Sequence, residues 1–250
     1  MSSKSGFNFF RKIWHILGLL IPLILFLDPF QGRFGLVYPT RAILVLSLGG
    51  FFVILLIVEV SRLTIPAFEA FFYKYFGFLM KESERKRLNG TVPYFLANLI
   101  VVLFFPPEIT ILAILFLVVG DPVAAYVGSR YGKNRFYNGK SREGVLGFLI
   151  PTFFVSVFVT YLITESQPGS FFAIHRMGSI VWEIPLILGV SVGIACLVEF
   201  FASTTLYGLL DDNLFIPLAG ASSLSVLSLL FLDHTPMAFF FNPMDLILQK

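Results

Sequence analysis

Cysteine occurs once in this chain, at Cys196 inside an apolar run, so neither an internal disulfide nor a cysteine-based metal cluster is available to it. Charge is scarce as well: Asp, Glu, Lys and Arg make up 13% of the 250 residues. There is no GxxxxGK[ST] phosphate loop, no protein-kinase signature set, no internal repeat, no low-complexity tract and no domain linker. Apolar residues fill the space, at 57% of the chain, and the mean hydropathy of +0.86 is far above that of a water-soluble domain.

Apolar runs long enough to cross a bilayer fall at roughly 13–28, 42–60, 91–106, 109–128, 145–163, 184–202 and 214–232. Seven spans of about twenty residues use most of the chain. The sequence therefore predicts an all-α, polytopic membrane bundle over 1–250 with no separate soluble domain. Lys4, Arg11 and Lys12 precede the first span; Arg62, Lys74, Lys81, Arg85, Lys86 and Arg87 follow the second; Arg130, Lys133, Arg135, Lys140 and Arg142 follow the fourth. The other side holds Arg33, Arg41 and Arg176. The positive-inside rule thus places the N-terminus and all three basic segments in the cytoplasm, with a bacterial inner membrane as the expected location. These cations lie beside the membrane, so the net charge of +3 does not point to nucleic acid. The basic start also resembles a signal peptide, but its apolar run ends in Leu27-Asp28-Pro29 without a small-x-small cleavage site, which favours an uncleaved anchor.

Between Leu63 and Thr91, the residues Phe68, Phe71, Phe72, Tyr75, Phe76 and Leu79 recur at helical spacing ahead of the charged cluster Lys81 to Arg87. This predicts an amphipathic helix in the cytoplasmic interface, either a surface connector or a platform for a lipid substrate. The C-terminal "FFFNPMDLILQK" fits a path along the outer surface or a partial re-entry.

The chemistry concentrates in "GDPVAAYVGSRYGKNRFYNGKSREG" at 120–144. Gly120, Ala124, Gly128 and Gly132 are four apart and make one small-residue stripe, suited to close helix packing. Asp121 lies within a span, where a carboxylate is costly and marks a polar cavity, a partner or a capped kink. Pro122 after it predicts a broken span, with a half-helix starting at the proline. Ser141 is placed to cap the next helix, and a helix N-terminus with Lys140 beside it suits a phosphate. Glu59 and Arg62 stand one turn apart, where they suit a local ion pair; Glu199 is near the same end of the sixth span, and Asp211-Asp212-Asn213 open the seventh, where acids also suit a helix cap. Carboxylates at Asp121, Glu143, Glu199, Asp211 and Asp212 suit Mg²⁺, and the cations suit phosphates, which is the division of labour of phosphoryl or nucleotidyl transfer.

In these residues the chain resembles the CTP-dependent lipid-alcohol kinases, a group that includes dolichol, phytol and CTP-dependent diacylglycerol kinases. The resemblance runs through "RKIWHILG" at 11–18, "EVSR" at 59–62, Glu84 with Asn89-Gly90, "GDPVAAYVGSRYG" at 120–132, "KSREG" at 140–144, Glu199 and "LLDDNLFIPL" at 209–218. Pro122 departs from the small residue that often follows the aspartate in that group. The resemblance implies Mg²⁺-dependent transfer of the terminal phosphate of CTP to the hydroxyl of a membrane lipid. On that basis Asp121, Asp211, Asp212 and Glu199 are expected at the metal, with Asp121, Asp211, Asp212 and Lys140 as the catalytic set. Lys140, Ser141, Glu143, Arg130, Lys133, Gly128 and Gly132 are expected at the nucleotide, Arg11 and His15 at the headgroup or nucleotide, Glu59 and Arg62 toward the headgroup, and Asn213 there while orienting a carboxylate or phosphate. Phosphatidate cytidylyltransferases are the alternative enzyme class, differing in which phosphorus is attacked. A lipid or anion transporter is the non-enzymatic alternative, against which stands the lack of an inverted repeat.

Overall fold

The computed structural model describes residues 17–80, 82–167, 169–233 and 238–249. Among these described residues the α-helices are α1 (Leu20–Leu27, after a 3₁₀ turn at Leu17–Leu19), α2 (Pro39–Thr64), α3 (Pro66–Phe76), α4 (Thr91–Phe104), α5 (Pro107–Tyr131), α6 (Arg142–Ser166), α7 (Glu183–Phe201) and α8 (Asp212–Phe231). The strands among the described residues are β1 (His175–Arg176) and β2 (Ser179–Ile180), an antiparallel pair between α6 and α7. The chain is an integral membrane protein: α2, α5, α6, α7 and α8 are long and apolar enough to cross a bilayer.

Proline sets several boundaries. Pro39, Pro66 and Pro107 each stand at the start of a helix, where the missing N–H has no intrahelical partner to lose. Pro106-Pro107 separates α4 from α5, so α4 stops at 14 residues. At 1.5 Å per residue that is about 21 Å, short of the roughly 30 Å hydrocarbon core. Of the seven expected spans, the one at 91–106 is therefore realised as this short helix, and the first is described from Leu17 only. Residues 238–249 complete the C-terminal end of α4. The Phe241 N–H donates to the Phe104 carbonyl (2.8 Å), the buried Phe239 carbonyl accepts from Ser225 Oγ (3.1 Å), and the Val37 N–H donates to the Leu248 carbonyl (3.0 Å). The C-terminal segment thus folds back across the bundle end.

The expected break at Pro122 is not formed. Asp121 and Pro122 are both helical within an uninterrupted α5. Pro122 removes one donor, the one that would reach the Val118 carbonyl, and a membrane helix packed on all sides tolerates that loss. α5 is the central helix, with 67% of its apolar window buried against 17% for α2. It packs against α6, α8, α1 and α4, while α7 packs on α6 and α8, and α2 on α4 and α3.

The small-residue stripe on α5 faces α6. A Cβ on Gly120 would strike the buried Phe148 ring, and one on Gly132 would strike the Gly128 carbonyl and stand 2.7 Å from Ser141 Oγ. From the other side, a Cβ on Gly144 would lie 3.2 Å from the Ala124 carbonyl, and one on Gly147 would lie 2.9 Å from Val127 Cβ. The packing expectation holds, and the seam ends at the polar face described next.

Candidate active site

The C-terminal ends of α2, α5 and α7 and the N-terminal ends of α4, α6 and α8 share one end of the bundle, where Asn89 meets Glu59, Leu88 meets Tyr207 and Lys140 meets Glu199. Ser141 caps α6 as its sequence position predicts, its Oγ accepting from the Gly144 N–H (3.0 Å). That hydroxyl is buried and engaged, and Gly128 and Gly132 lie against it in the seam. These three build the approach of α5 to α6; Lys140 is the residue of this segment that reaches outward.

The basic loop folds onto itself and is latched to the end of α7. Phe136 N–H donates to the Lys140 carbonyl (2.7 Å), and Arg135 Nη1 donates to the Gly139 carbonyl (2.8 Å). Lys140 Nζ lies 2.7 Å from Glu199 Oε1 and also bonds the Glu199 carbonyl. Asn138 Nδ2 donates to the Phe200 carbonyl (2.8 Å), and the Phe136 and Phe200 rings meet edge to face at 4.9 Å. Arg130 and Lys133 are exposed beside this latch. Glu143 turns back on the loop, its Oε1 accepting from the Asn134 side chain (3.3 Å).

Asp211 is the N-cap of α8. Its Oδ1 accepts from the Leu214 N–H (3.2 Å) and its Oδ2 from Asn213 Nδ2 (2.7 Å). Burial pushes its carboxyl up to about 7, and the neighbouring negative charge of Asp212 adds to the shift. Asn213 is buried and orients this carboxylate, one of the two roles expected of it. Asp121 and Asp212 are half-buried, and both charges act on Glu199. Lys140, Glu199, Asp121, Asp211 and Asp212 thus form one neighbourhood contributed by α5, α7, α8 and the loop.

Among the described residues no three of the His, Cys, Asp and Glu side chains converge into a ready-made metal cage. Mg²⁺ at a nucleotide needs no such cage, since one or two carboxylates hold it and phosphate oxygens and water complete its shell.

Glu59 and Arg62, expected either as a local ion pair or toward a headgroup, form the ion pair. Arg62 Nε and Nη2 donate to the two Glu59 oxygens (3.0 and 2.7 Å), Nη2 also to the Arg87 carbonyl (2.7 Å), and Nη1 to the Arg85 carbonyl (3.0 Å) and Tyr73 Oη (3.3 Å). All five guanidinium donors are engaged. Glu59 Oε2 further accepts from the Asn89 N–H (2.8 Å). Both side chains are almost fully buried, at 1% and 3% exposure, so the pair is a clamp on the 85–89 loop rather than a ligand site. Removing one partner of such a pair costs on the order of 3–5 kcal/mol. Arg11 and His15 lie outside the described residues.

Sequence reasoning missed the turn ahead of Asp211. Thr205 and Leu210 pair across it, and Leu206 (φ 47°), Tyr207 (φ 53°) and Gly208 (φ 96°) are all left-handed. For Leu and Tyr that conformation costs on the order of 1–3 kcal/mol each. It is held from outside: the Leu88 N–H donates to the Tyr207 carbonyl (2.8 Å), and a Cβ on Gly208 would lie 2.7 Å from the Leu88 carbonyl. The one available signal was Gly208 itself, three residues before the acid pair.

An apolar groove of about 540 Å³, lined by Phe154, Tyr161, Ile174, His175 and Trp182 among others, opens toward the opposite end, away from the acids and Lys140.

No protein-family model matches the chain, and no solved structure matches it. The chain is similar to the CTP-dependent diacylglycerol kinase 1 of Schizosaccharomyces pombe, at 32% identity over 168 residues, covering 65% of this chain and 71% of that protein. The protein of the same name from Eremothecium gossypii is 29% identical over 195 residues, covering 75% of this chain and 57% of its own length. That of Saccharomyces cerevisiae is 27% identical over 125 residues, covering 47% and 43%.

Proposed function

The chain belongs to the CTP-dependent lipid kinase family, and from that premise we propose that it transfers the γ-phosphate of CTP to the hydroxyl of a membrane lipid. Diacylglycerol is the first acceptor to consider, because the relatives are named for it. A polyprenol such as dolichol and a phytol-like alcohol are the further candidates. The observation that carries the reading is the meeting of Lys140 with Glu199 beside Asp121, Asp211 and Asp212 at the N-terminal end of α6. A cation, a helix N-terminus and carboxylates in one neighbourhood supply what phosphoryl transfer asks of a protein, namely positioning and charge neutralisation.

In this mechanism Lys140 turns from Glu199 to the triphosphate, and Arg130 and Lys133 add positive charge from the exposed end of α5. Asp121 and Asp212, the half-buried acids, would hold Mg²⁺ on the nucleotide, joined by Glu199 once Lys140 has left it. Bound there, the ion would neutralise charge developing on the β- and γ-phosphate oxygens. The lipid oxygen forms a bond to the γ-phosphorus as the bond to the β–γ bridging oxygen breaks. CDP departs, and the hydroxyl proton passes to one carboxylate of the Asp121, Asp211 and Asp212 set. The basic end would face the cytoplasm, in a bacterial inner membrane, where CTP is available.

The test is a membrane assay with CTP labelled at either the α- or the γ-phosphate, offered with Mg²⁺ and each of diacylglycerol, polyprenol, phytol and phosphatidic acid. Label reaching lipid from γ-CTP alone is the expected result, and the acceptor that takes it names the substrate. Lipid labelled from α-CTP would instead make the protein a cytidylyltransferase.

A further inference from the structure

We propose that Glu59 and Arg62 are positioning residues for the acid pair: they set Asp211 and Asp212 through the 85–89 loop and the left-handed turn at 205–210. This rests on the role given above to the acid pair, and every link is a contact already described. Arg62 fixes the Arg85 and Arg87 carbonyls, and Glu59 fixes the Asn89 N–H, so Leu88 is gripped from both sides. Leu88 in turn holds the Tyr207 carbonyl, and its own carbonyl occupies the space that a side chain on residue 208 would need. The Thr205–Leu210 pair closes the turn, and Asp211 follows immediately as the cap of α8.

The backbone conformation is the reason to read this as a device rather than as packing. Leucine and tyrosine do not stay in the left-handed region unless their surroundings over-determine it, and a free loop would relax. Here the over-determination comes from Leu88, whose position depends on the Glu59–Arg62 clamp. The clamp also receives Tyr73 of α3, whose hydroxyl accepts from Arg62 Nη1 (3.3 Å). Releasing it frees the turn and shifts the start of α8, so its effect belongs in the chemistry of the nucleotide and not in acceptor binding.

The experiment uses the full chain in membranes, with Arg62→Lys, Gly208→Ala and the double variant. Arg62→Lys keeps the charge and loses the five-donor fork; Gly208→Ala breaks the relay at its other end, where the backbone is left-handed and the space is taken. Each single variant is expected to lower kcat about 10²-fold, the effect of a displacement on the order of 1 Å. KM for the lipid acceptor should stay within about twofold, and the double variant should be no slower than the worse single one, because both cut the same connection. A raised acceptor KM at unchanged kcat would make Arg62 a headgroup ligand and overturn the proposal. So would single losses that multiply in the double variant, or a lowered Tm with unaltered kinetics.

Hydrogen exchange supplies the readout independent of turnover. In Arg62→Lys the Thr205 and Leu210 amides should exchange at least tenfold faster, and in Gly208→Ala the Asn89 amide should do so, which keeps the test open if one variant does not accumulate. Faster exchange in the variants, alongside a wild type that transfers no phosphate from CTP, would sink the proposed function and leave the relay standing. Active wild type with unchanged exchange in the variants would sink the relay alone.

Discussion

Asp211→Asn is expected to lower phosphate transfer by about 10²–10⁴-fold, the range for loss of a group that handles a proton or a charge in the transition state, while making the protein more stable at pH 8. The two effects have one origin. Asp211 is 6% exposed, and its carboxyl is held at about 7 instead of the ordinary 3.8 by burial and by the charge of Asp212. The folded protein therefore binds more protons than the unfolded chain between those two values. Stability falls as pH rises from about 4 to about 7 and stays at the lower level above that. Asparagine carries no charge to desolvate and caps a helix as well as aspartate does, so the Leu214 N–H keeps its acceptor. The gain is at most about 4 kcal/mol above pH 7 and vanishes near pH 4. Tm measured in detergent at both pH values, beside turnover on γ-labelled CTP, checks it. A loss of stability at pH 8 would show that the carboxylate stabilises the end of α8 rather than burdening it.

The glycines of the α5–α6 seam carry the second large effect. Gly132→Ala should lower kcat about 10²-fold through displacement of Ser141 and Lys140 and destabilise the bundle by about 1–3 kcal/mol. A methyl group there meets the Gly128 carbonyl, which is backbone, and Ser141 Oγ at 2.7 Å, so α5 and α6 must move apart where Lys140 leaves the loop. Gly128→Ala meets nothing closer than 3.2 Å, and a small shift of Ser141 Oγ accommodates it. Gly50→Ala meets open space on α2 and should be neutral or stabilising, by up to about 1 kcal/mol. Kinetics and Tm for the three variants give the order. Equal losses at 128 and 132 with intact stability would point to nucleotide contact by both glycines and not to a seam.

Features that depend on neighbours in the chain were legible before any coordinates. The Ser141 and Asp211 caps, the stripe at 120–132 and the long apolar spans are short-range patterns, and each is present. Features that depend on distant partners were not. A Glu and an Arg three residues apart read the same whether the rest of the guanidinium meets water or carbonyls 23 and 25 positions along the chain. Asn213 read equally as a partner for a carboxylate or for a phosphate, and it serves the carboxylate two residues before it. Pro122 misled because proline breaks helices in water, where a freed carbonyl is solvated at once, whereas inside a packed membrane bundle the unbroken helix satisfies more of its groups.

The latch of the basic loop onto α7 also sets a timetable. Lys140 and Glu199 are 59 residues apart in sequence, so α5, the loop and α6 are synthesised before the partner carboxylate exists. At about 5–20 residues per second, that interval is on the order of 3–12 s. For that time the nascent chain carries an unlatched basic loop at the membrane surface, open to any anion or protease that reaches it first. The two ends of this latch are therefore synthesised apart, and the later arrival of α7 brings them together.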